Sequence, residues 1–315
     1  MIEISRSGNI PGLLQDGKLN YEKVLQNMVD STAEYLTKCN IKSQILGISG
    51  GIDSTVTAAI CRLVADKTDI PLIGFSLPCN TNKEDETTTA DVVGGEFCNE
   101  YHVVNIQSLY ETTSETFASC GLDGTRISEG NIKARIRGSF LHNAASIRNG
   151  IVIDTDNATE GFLGFWTIAG GDVGEFNPIG MLWKHEVYEL ARYIKKNVFT
   201  ESKSLDASIV LTPTDGNGVK EGGDLAQIAP GKTYDDVDEI LQTWVCLDDK
   251  IKKSVIQEDF NYGTFKNLVE KHGKDAVKGV VMRSVNSSFK RLHLPLVLDI
   301  FDGHICEKNG KNIIN

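Results

Sequence analysis

The 315 residues carry 32 Lys and Arg against 43 Asp and Glu, a net charge of −11, which argues against a nucleic-acid or anionic-membrane binder, since such a protein needs a broad basic face. With 40 % hydrophobic and 24 % charged residues the chain can bury the core of a large α/β domain, and no apolar run approaches the ~20 residues that span a bilayer. The 7 cysteines are scattered without a CxxC pair, which argues against a zinc ribbon or thioredoxin motif and, with an N-terminus lacking a signal-peptide apolar core, for a reducing, cytoplasmic setting.

Residues 21–39 place Val24, Leu25, Met28, Val29 and Leu36 at helical spacing. Residues 44–48 are short and apolar and read as a buried strand that runs into Ser49-Gly50-Gly51-Ile52-Asp53-Ser54. Beyond that turn Val56, Ala59, Ile60, Leu63 and Val64 recur at helical intervals. A second strand is predicted over 70–77, with Pro71 tolerable only at its beginning. A helix over 84–101, a strand over 103–106, a basic helix over 131–147 and a strand over 150–154 follow, then an amphipathic helix over 185–196. This alternation predicts a doubly wound parallel sheet with helices on both faces.

Residues 212–233 hold Pro213, Pro230 and glycines at 216, 218, 222, 223 and 231, a long loop of the kind that is functional or mobile. Residues 234–293 regain helical character, and the polar tail after Gly303 reads as frayed. No internal repeat divides the chain. The expectation is one α/β domain over 1–315, core about 20–295, with a helical C-terminal extension.

The glycine turn carries the chemistry. Its glycines let the backbone approach an anion with no Cβ in the way, and the next helix aims its unpaired N–H groups at the same spot. Ser49 and Ser54 add hydroxyls. No lysine completes a Walker loop, and the GxGxxG spacing is missing. SGGxDS instead resembles the signature of the PP-loop ATP pyrophosphatases, an adenine-nucleotide alpha-hydrolase-like fold. That resemblance implies that Gly47, Ile48, Ser49, Gly50, Gly51, Ile52, Asp53 and Ser54 bind ATP as co-substrate. Asp53 would be a ligand of Mg²⁺, which takes one or two carboxylates plus phosphate oxygens.

Further blocks are similar to those of ammonia-dependent NAD synthetases, in the family's order: Gly130-Asn131-Ile132-Lys133-Ala134-Arg135, Thr155-Asp156-Asn157-Ala158-Thr159-Glu160, Asn177-Pro178 followed by Lys184, Pro213-Thr214, and Thr233-Tyr234-Asp235-Asp236-Val237-Asp238. The resemblance implies that Glu160 joins Asp53 on magnesium. Thr155 and Thr214 would hydrogen-bond the nucleotide, and Lys184 would stabilise phosphate charge as a catalytic residue with Asp53 and Glu160. Asn131, Arg135, Glu175 and Lys290 would hold the acid substrate, deamido-NAD. It further implies a homodimer and adenylation of a carboxylate by ATP followed by attack of ammonia, while the acidic charge and the lack of a long apolar run lead us to expect no nucleic-acid or membrane partner. With no room in 315 residues for the amidase domain of glutamine-dependent members, the ammonia is expected free or from a separate partner.

The chain departs from the pattern mostly on the acid side. Ile168 stands where the family carries lysine, Glu175 where it carries aspartate, Phe289 where histidine precedes Lys290, and Asp154 where glycine is common. Adenylation is thus more firmly implied than the identity of the acid. Two alternatives stay open: another PP-loop enzyme that adenylates a different acid or nucleotide, and a nucleotide-binding protein without turnover.

Overall fold

The computed structural model describes residues 14–15, 18–82, 84–171, 174–211 and 225–291, together with the backbone of three short strands beyond them. An antiparallel pair, β1 (Leu14–Gln15) and β2 (Lys18–Leu19), precedes α1 (Tyr21–Lys38), whose start is capped by Asn20. Four parallel strands follow: β3 (Gln44–Gly47), β4 (Leu72–Ser76), β5 (Glu100–Val103) and β6 (Ile151–Ile153), in the order β5-β4-β3-β6. They are connected through α2 (Ile52–Thr68), α3 (Glu84–Phe97), α4 (Gln107–Ser119) and α5 (Arg126–Ile147).

Alternation along the strands feeds two cores. Leu46, Leu72, Ile151 and Ile153 pack with α1, α2 and α3 on one face, while Ile45, Ile73, Phe75 and Val152 pack with Leu141 and Ala145 of α5 on the other. Both faces are covered, as the sequence predicts for a parallel sheet. The strand order runs outward from β3 to β5 and then returns to β6 on the other side of β3. The carboxyl ends of β3 and β6 therefore flank a topological switch point, where ligands bind in open α/β sheets.

After β6 the chain is helical: α6 (Ala158–Leu163), α7 (Lys184–Asn197), α8 (Lys203–Val210), α9 (Tyr234–Val245), α10 (Asp249–Gln257), α11 (Thr264–His272), α12 (Lys274–Asn286) and a 3₁₀ turn, Ser288–Arg291. α7 packs on the sheet core, whereas α6 and α9–α12 share a separate core around Trp244, Phe260, Phe265 and Val277. No described helix is long and apolar enough to cross a membrane.

Several boundaries differ from the sequence reading. The helix predicted over 84–101 ends at Phe97, and the strand predicted over 103–106 lies at Glu100–Val103. Asn99 causes both shifts: its N–H donates to Leu72 O and its Oδ1 accepts from Leu72 N, which locks it to β4 and starts the strand early. Ile106, which looks like strand core, is the buried residue that opens α4. The basic helix begins at Arg126 rather than at 131, because Thr125 and Ser128 cap each other's backbone there. α4 and α8 have no counterpart in the prediction. The strands β7 (Val297–Leu298), β8 (Ile305–Cys306) and β9 (Asn312–Ile314) form an antiparallel sheet, so part of the tail expected to fray pairs instead. The Pro213-Thr214 block lies outside the described residues.

Candidate active site

The turn after β3 is held open from behind. Gly50 has φ +81°, and a Cβ there would sit 2.4 Å from Glu86 O and 2.9 Å from Ala90 N, because α3 passes directly beneath. Ser208 Oγ lies 3.1 Å from Gly50 O and Thr55 Oγ1 2.9 Å from Gly51 O, and the two hydroxyls are 2.7 Å apart, so their two protons serve a chain of three contacts. These buried hydroxyls hold two carbonyls of the turn on the protein side. Gly51 opens α2 and has no side chain to cap it, so the first-turn amides of Ile52 and Asp53 are left for a ligand or solvent. Ser49 Oγ and Ser54 Oγ, 3.0 Å apart, complete the rim.

Facing this turn is a buried charge cluster drawn from three helices. Asp53 is in the first turn of α2, Glu160 in the first turn of α6 and Lys184 at the first position of α7. The Lys184 ammonium, with 3 % of its side chain exposed, bonds Asp53 Oδ2 and, at 3.1 Å, Glu160 Oε1. It also lies 5.4 Å from the centroid of the Tyr234 ring. Burial alone would push its pKa down, but the charges of Asp53 and Glu160 raise it well above the ordinary lysine range. For Glu160, burial and the neighbouring Asp53 charge outweigh the pull of Lys184 and push its carboxyl up to about 7.

Asn157 joins the two acids. Its Nδ2 donates to Asp53 Oδ1 at 2.9 Å, its Oδ1 accepts from Glu160 N at 3.1 Å, and its own N–H donates to Glu160 Oε2 at 3.2 Å. Lys184 is fixed through its backbone as well. Its N–H donates to Thr159 Oγ1 (2.9 Å), Thr159 Oγ1 donates to the fully buried Asp238 (2.5 Å), and Asp238 also accepts from His185 N at 2.9 Å. The helical extension thus holds the lysine that faces the sheet.

A cleft of about 440 Å³ opens above these groups, lined by Gly47, Ile48, Ser49, Gly51, Ile52, Asp53, Ser54, Thr155, Glu160 and Lys184, and also by Asn131, Trp166, Thr167 and Lys290, a second group in which Thr167 bonds Asn131 and Lys290 bonds Trp166 O. Of the residues predicted from sequence, Gly50 supports the turn from outside the lining. Arg135 is exposed and donates through Nε to Ile168 O at 3.3 Å, touching the loop that lines the cleft. Glu175 is bound to the sheet edge: its Oε2 accepts from Val152 N at 2.6 Å and its Oε1 is 3.2 Å from His142 Nδ1. The structure therefore gathers the ATP-side prediction into one place and leaves Arg135 and Glu175 outside the lining; Thr214 lies outside the described residues.

Sequence reading passed over Asn157, Arg137 and Arg283. The Asn-x-x-Glu spacing of a capping box signals Asn157. Arg137 lines the cleft and donates to Leu77 O at 2.9 Å and Asn82 Oδ1 at 3.0 Å; nothing in its local sequence sets it apart from Arg135.

The model of the NAD synthase family matches residues 24–281. The chain belongs to the NAD synthase family. The NH(3)-dependent NAD(+) synthetase of Campylobacter jejuni subsp. doylei is 30 % identical over 83 % of this chain and 97 % of that protein. Its counterpart from Thermoplasma volcanium is 31 % identical over 79 % and 93 %. A solved structure of NMN synthetase from Francisella tularensis matches with a TM-score of 0.68 over 90 % of this chain and 100 % of that one, at 24 % identity, a likeness of fold. The doubly wound sheet is thus that of an NAD synthase.

Proposed function

We propose that this NAD synthase is a carbon–nitrogen ligase that amidates deamido-NAD to NAD with ATP and ammonia, through an acyl-adenylate. The observation that carries the reading is Lys184 set between Asp53 and Glu160 beside the uncapped start of α2. A single cation among two carboxylates leaves one surplus negative charge in a buried place. The site therefore fits Mg²⁺ carried in with phosphate, held by Asp53 and Glu160. When bound, the metal would neutralise phosphate charge as a Lewis acid.

The chain's own residues then do positioning and electrostatics. The amides of the turn and the hydroxyls of Ser49 and Ser54 take the β,γ-diphosphate, and the ammonium of Lys184 faces the charge that develops on it. Thr155, at the carboxyl end of β6, lines the same cleft as the turn. Asn131 and Lys290 hold the acid. Its carboxylate attacks the α-phosphorus and diphosphate leaves; ammonia then attacks the acyl carbon and AMP leaves, so no covalent enzyme nucleophile is needed. Orienting two anions that repel in water supplies most of the barrier reduction.

We infer that the active form is a cytoplasmic homodimer of single-domain chains. The support is α4, which buries none of its residues within the chain and exposes Leu109 and Phe117.

Incubating purified protein with ATP, Mg²⁺, ammonium and a panel of acids tests the function. AMP and diphosphate in equal amounts, formed with deamido-NAD and not with other acids, is the expected result. Turnover only with a mononucleotide acid or another nucleotide assigns a different substrate, and nucleotide binding without turnover contradicts the enzymatic reading.

A further inference from the structure

One wall of the cleft is assembled on the C-terminus of α6. Gly164 ends that helix with φ +63°, and a Cβ there would lie 2.5 Å from Ser287 Cβ, so the segment after α12 closes against it. Three cations, Arg283 in the last turn of α12 and Lys290 and Arg291 in the 3₁₀ turn after it, bond the last carbonyls of α6. Arg283 Nε donates to Leu163 O at 2.7 Å and its Nη2 to Gly164 O at 3.2 Å. Lys290 Nζ donates to Gly164 O at 2.9 Å, and Arg291 Nη1 to Phe162 O at 2.8 Å.

Arg283 and Arg291 are otherwise near twins. Both are half-buried, both bind carbonyls, and both sit over an aromatic ring, Phe165 at 5.4 Å and Phe162 at 5.6 Å. They differ in what is left over: Arg291 also bonds Ser287 Oγ and Ser284 O, whereas among the described residues Arg283 bonds only the two α6 carbonyls and lines the cleft, which Arg291 does not. Of the five N–H donors of a guanidinium, Arg283 uses its Nε–H and one at Nη2, and the others meet no acceptor among the described residues. No carboxylate of the described residues lies within 4.0 Å of it. Bonds to neutral carbonyls anchor a helix end but leave the positive charge uncompensated, and burial, which lowers its pKa from the ordinary arginine value, adds to the cost of that charge. Such a guanidinium, planar and fixed by its own carbonyl bonds, is built to take an anion. The diphosphate of ATP is already provided for by the turn after β3, which belongs to other elements of the cleft lining.

We propose that Arg283 is a specificity-determining residue whose cleft-side N–H groups bind a phosphate oxygen of the acid substrate. This rests on the amidating reading and extends it: the acid is a nucleotide recognised by its phosphate as well as by its carboxylate. Arg291 is the internal control, a cation of similar anchoring that does not reach the cleft.

The test measures KM for the acid and for ATP in wild type, Arg283→Met, Arg283→Lys and Arg291→Met, each with its Tm. Arg283→Met should raise the acid KM about 10–100-fold, the size of a charge-assisted hydrogen bond, with the ATP KM within about twofold. Arg283→Lys should recover part of that loss. Arg291→Met should lower Tm as much as Arg283→Met does and leave both KM values near wild type. Equal effects of the two methionine variants on the acid KM, or an Arg283 effect that falls on ATP, overturns the proposal.

Calorimetric titration of the wild-type protein with the acid nucleotide and with its dephosphorylated nucleoside keeps the question decidable if Arg283→Met does not fold. Phosphate removal should cost wild type far more affinity than it costs Arg283→Lys; equal costs reject the role. Because it needs no turnover, this binding readout stands apart from the assay that tests the amidating function.

Discussion

The two walls of the cleft are built in opposite ways. The phosphate wall is one contiguous turn, Ser49–Ser54, between a buried strand and the helix it starts, with its second layer (Thr55, Ser208, α3) pressed against its back. The acid wall is a composite. Asn131 comes from α5, the loop 164–171 follows α6, and Arg283 and Lys290 come from the end of the helical extension, where Arg283 lies 120 residues from the carbonyl it binds. A site made within a few residues has little freedom to change without losing the turn, whereas one made of distant pieces can exchange a contact at a time. The departures at Ile168 and Phe289 fall on the second wall or beside it.

Four experiments sharpen or break that contrast, beginning with the largest effect. Lys184→Met removes the cation shared by Asp53 and Glu160 and should lower kcat about a thousandfold, with a loss of about 3–5 kcal/mol in stability because two carboxylates are left facing each other. Steady-state kinetics and denaturant unfolding check both. Gly50→Ala comes next. Left-handed backbone and overlap with Glu86 O and Ala90 N should cost about 2–4 kcal/mol and raise the KM for ATP more than that for the acid.

The pH dependence of the metal-free protein follows. With the Glu160 carboxyl pushed up to about 7 in the fold from an ordinary 4.5, the native state holds a proton that the unfolded chain has lost, so stability falls as pH rises from 4.5 through about 7. Glu160→Gln should flatten that part of the profile; unchanged slope in a Tm-versus-pH series would show that the carboxyl does not titrate there. The smallest effect is expected at Glu175, whose carboxylate serves the β6 edge: Glu175→Gln should leave the KM for the acid within about twofold while lowering Tm by a few degrees. A tenfold rise in KM would place it with the substrate after all.

The strands β3 and β4, the helix α2 between them and the turn were legible because their signals are local: an apolar run, a glycine pair, a helical period. The edge of the sheet was not. β5 is half-exposed, and its start is set by Asn99 bonding Leu72, a contact 27 residues away in sequence that no periodicity encodes. α4, with no buried residue, carries no apolar stripe to read. At the site, Asp53, Glu160 and Lys184 were found through blocks whose order resembles a family. The links that position them, Asn157 between the acids and Asp238 beneath Lys184, become visible only when α2, α6, α7 and α9 meet. Arg283 was hidden for the same reason, since nothing near it in sequence distinguishes it from Arg291.

The central claim is that the turn after β3 holds the diphosphate so that the acid's carboxylate meets the α-phosphorus. Amidation run with ¹⁸O in that carboxylate, followed by mass spectrometry of the products, addresses it directly. One ¹⁸O in AMP, with unlabelled diphosphate, is the predicted result; label in inorganic phosphate with release of ADP would place the attack at the γ-phosphorus and contradict it.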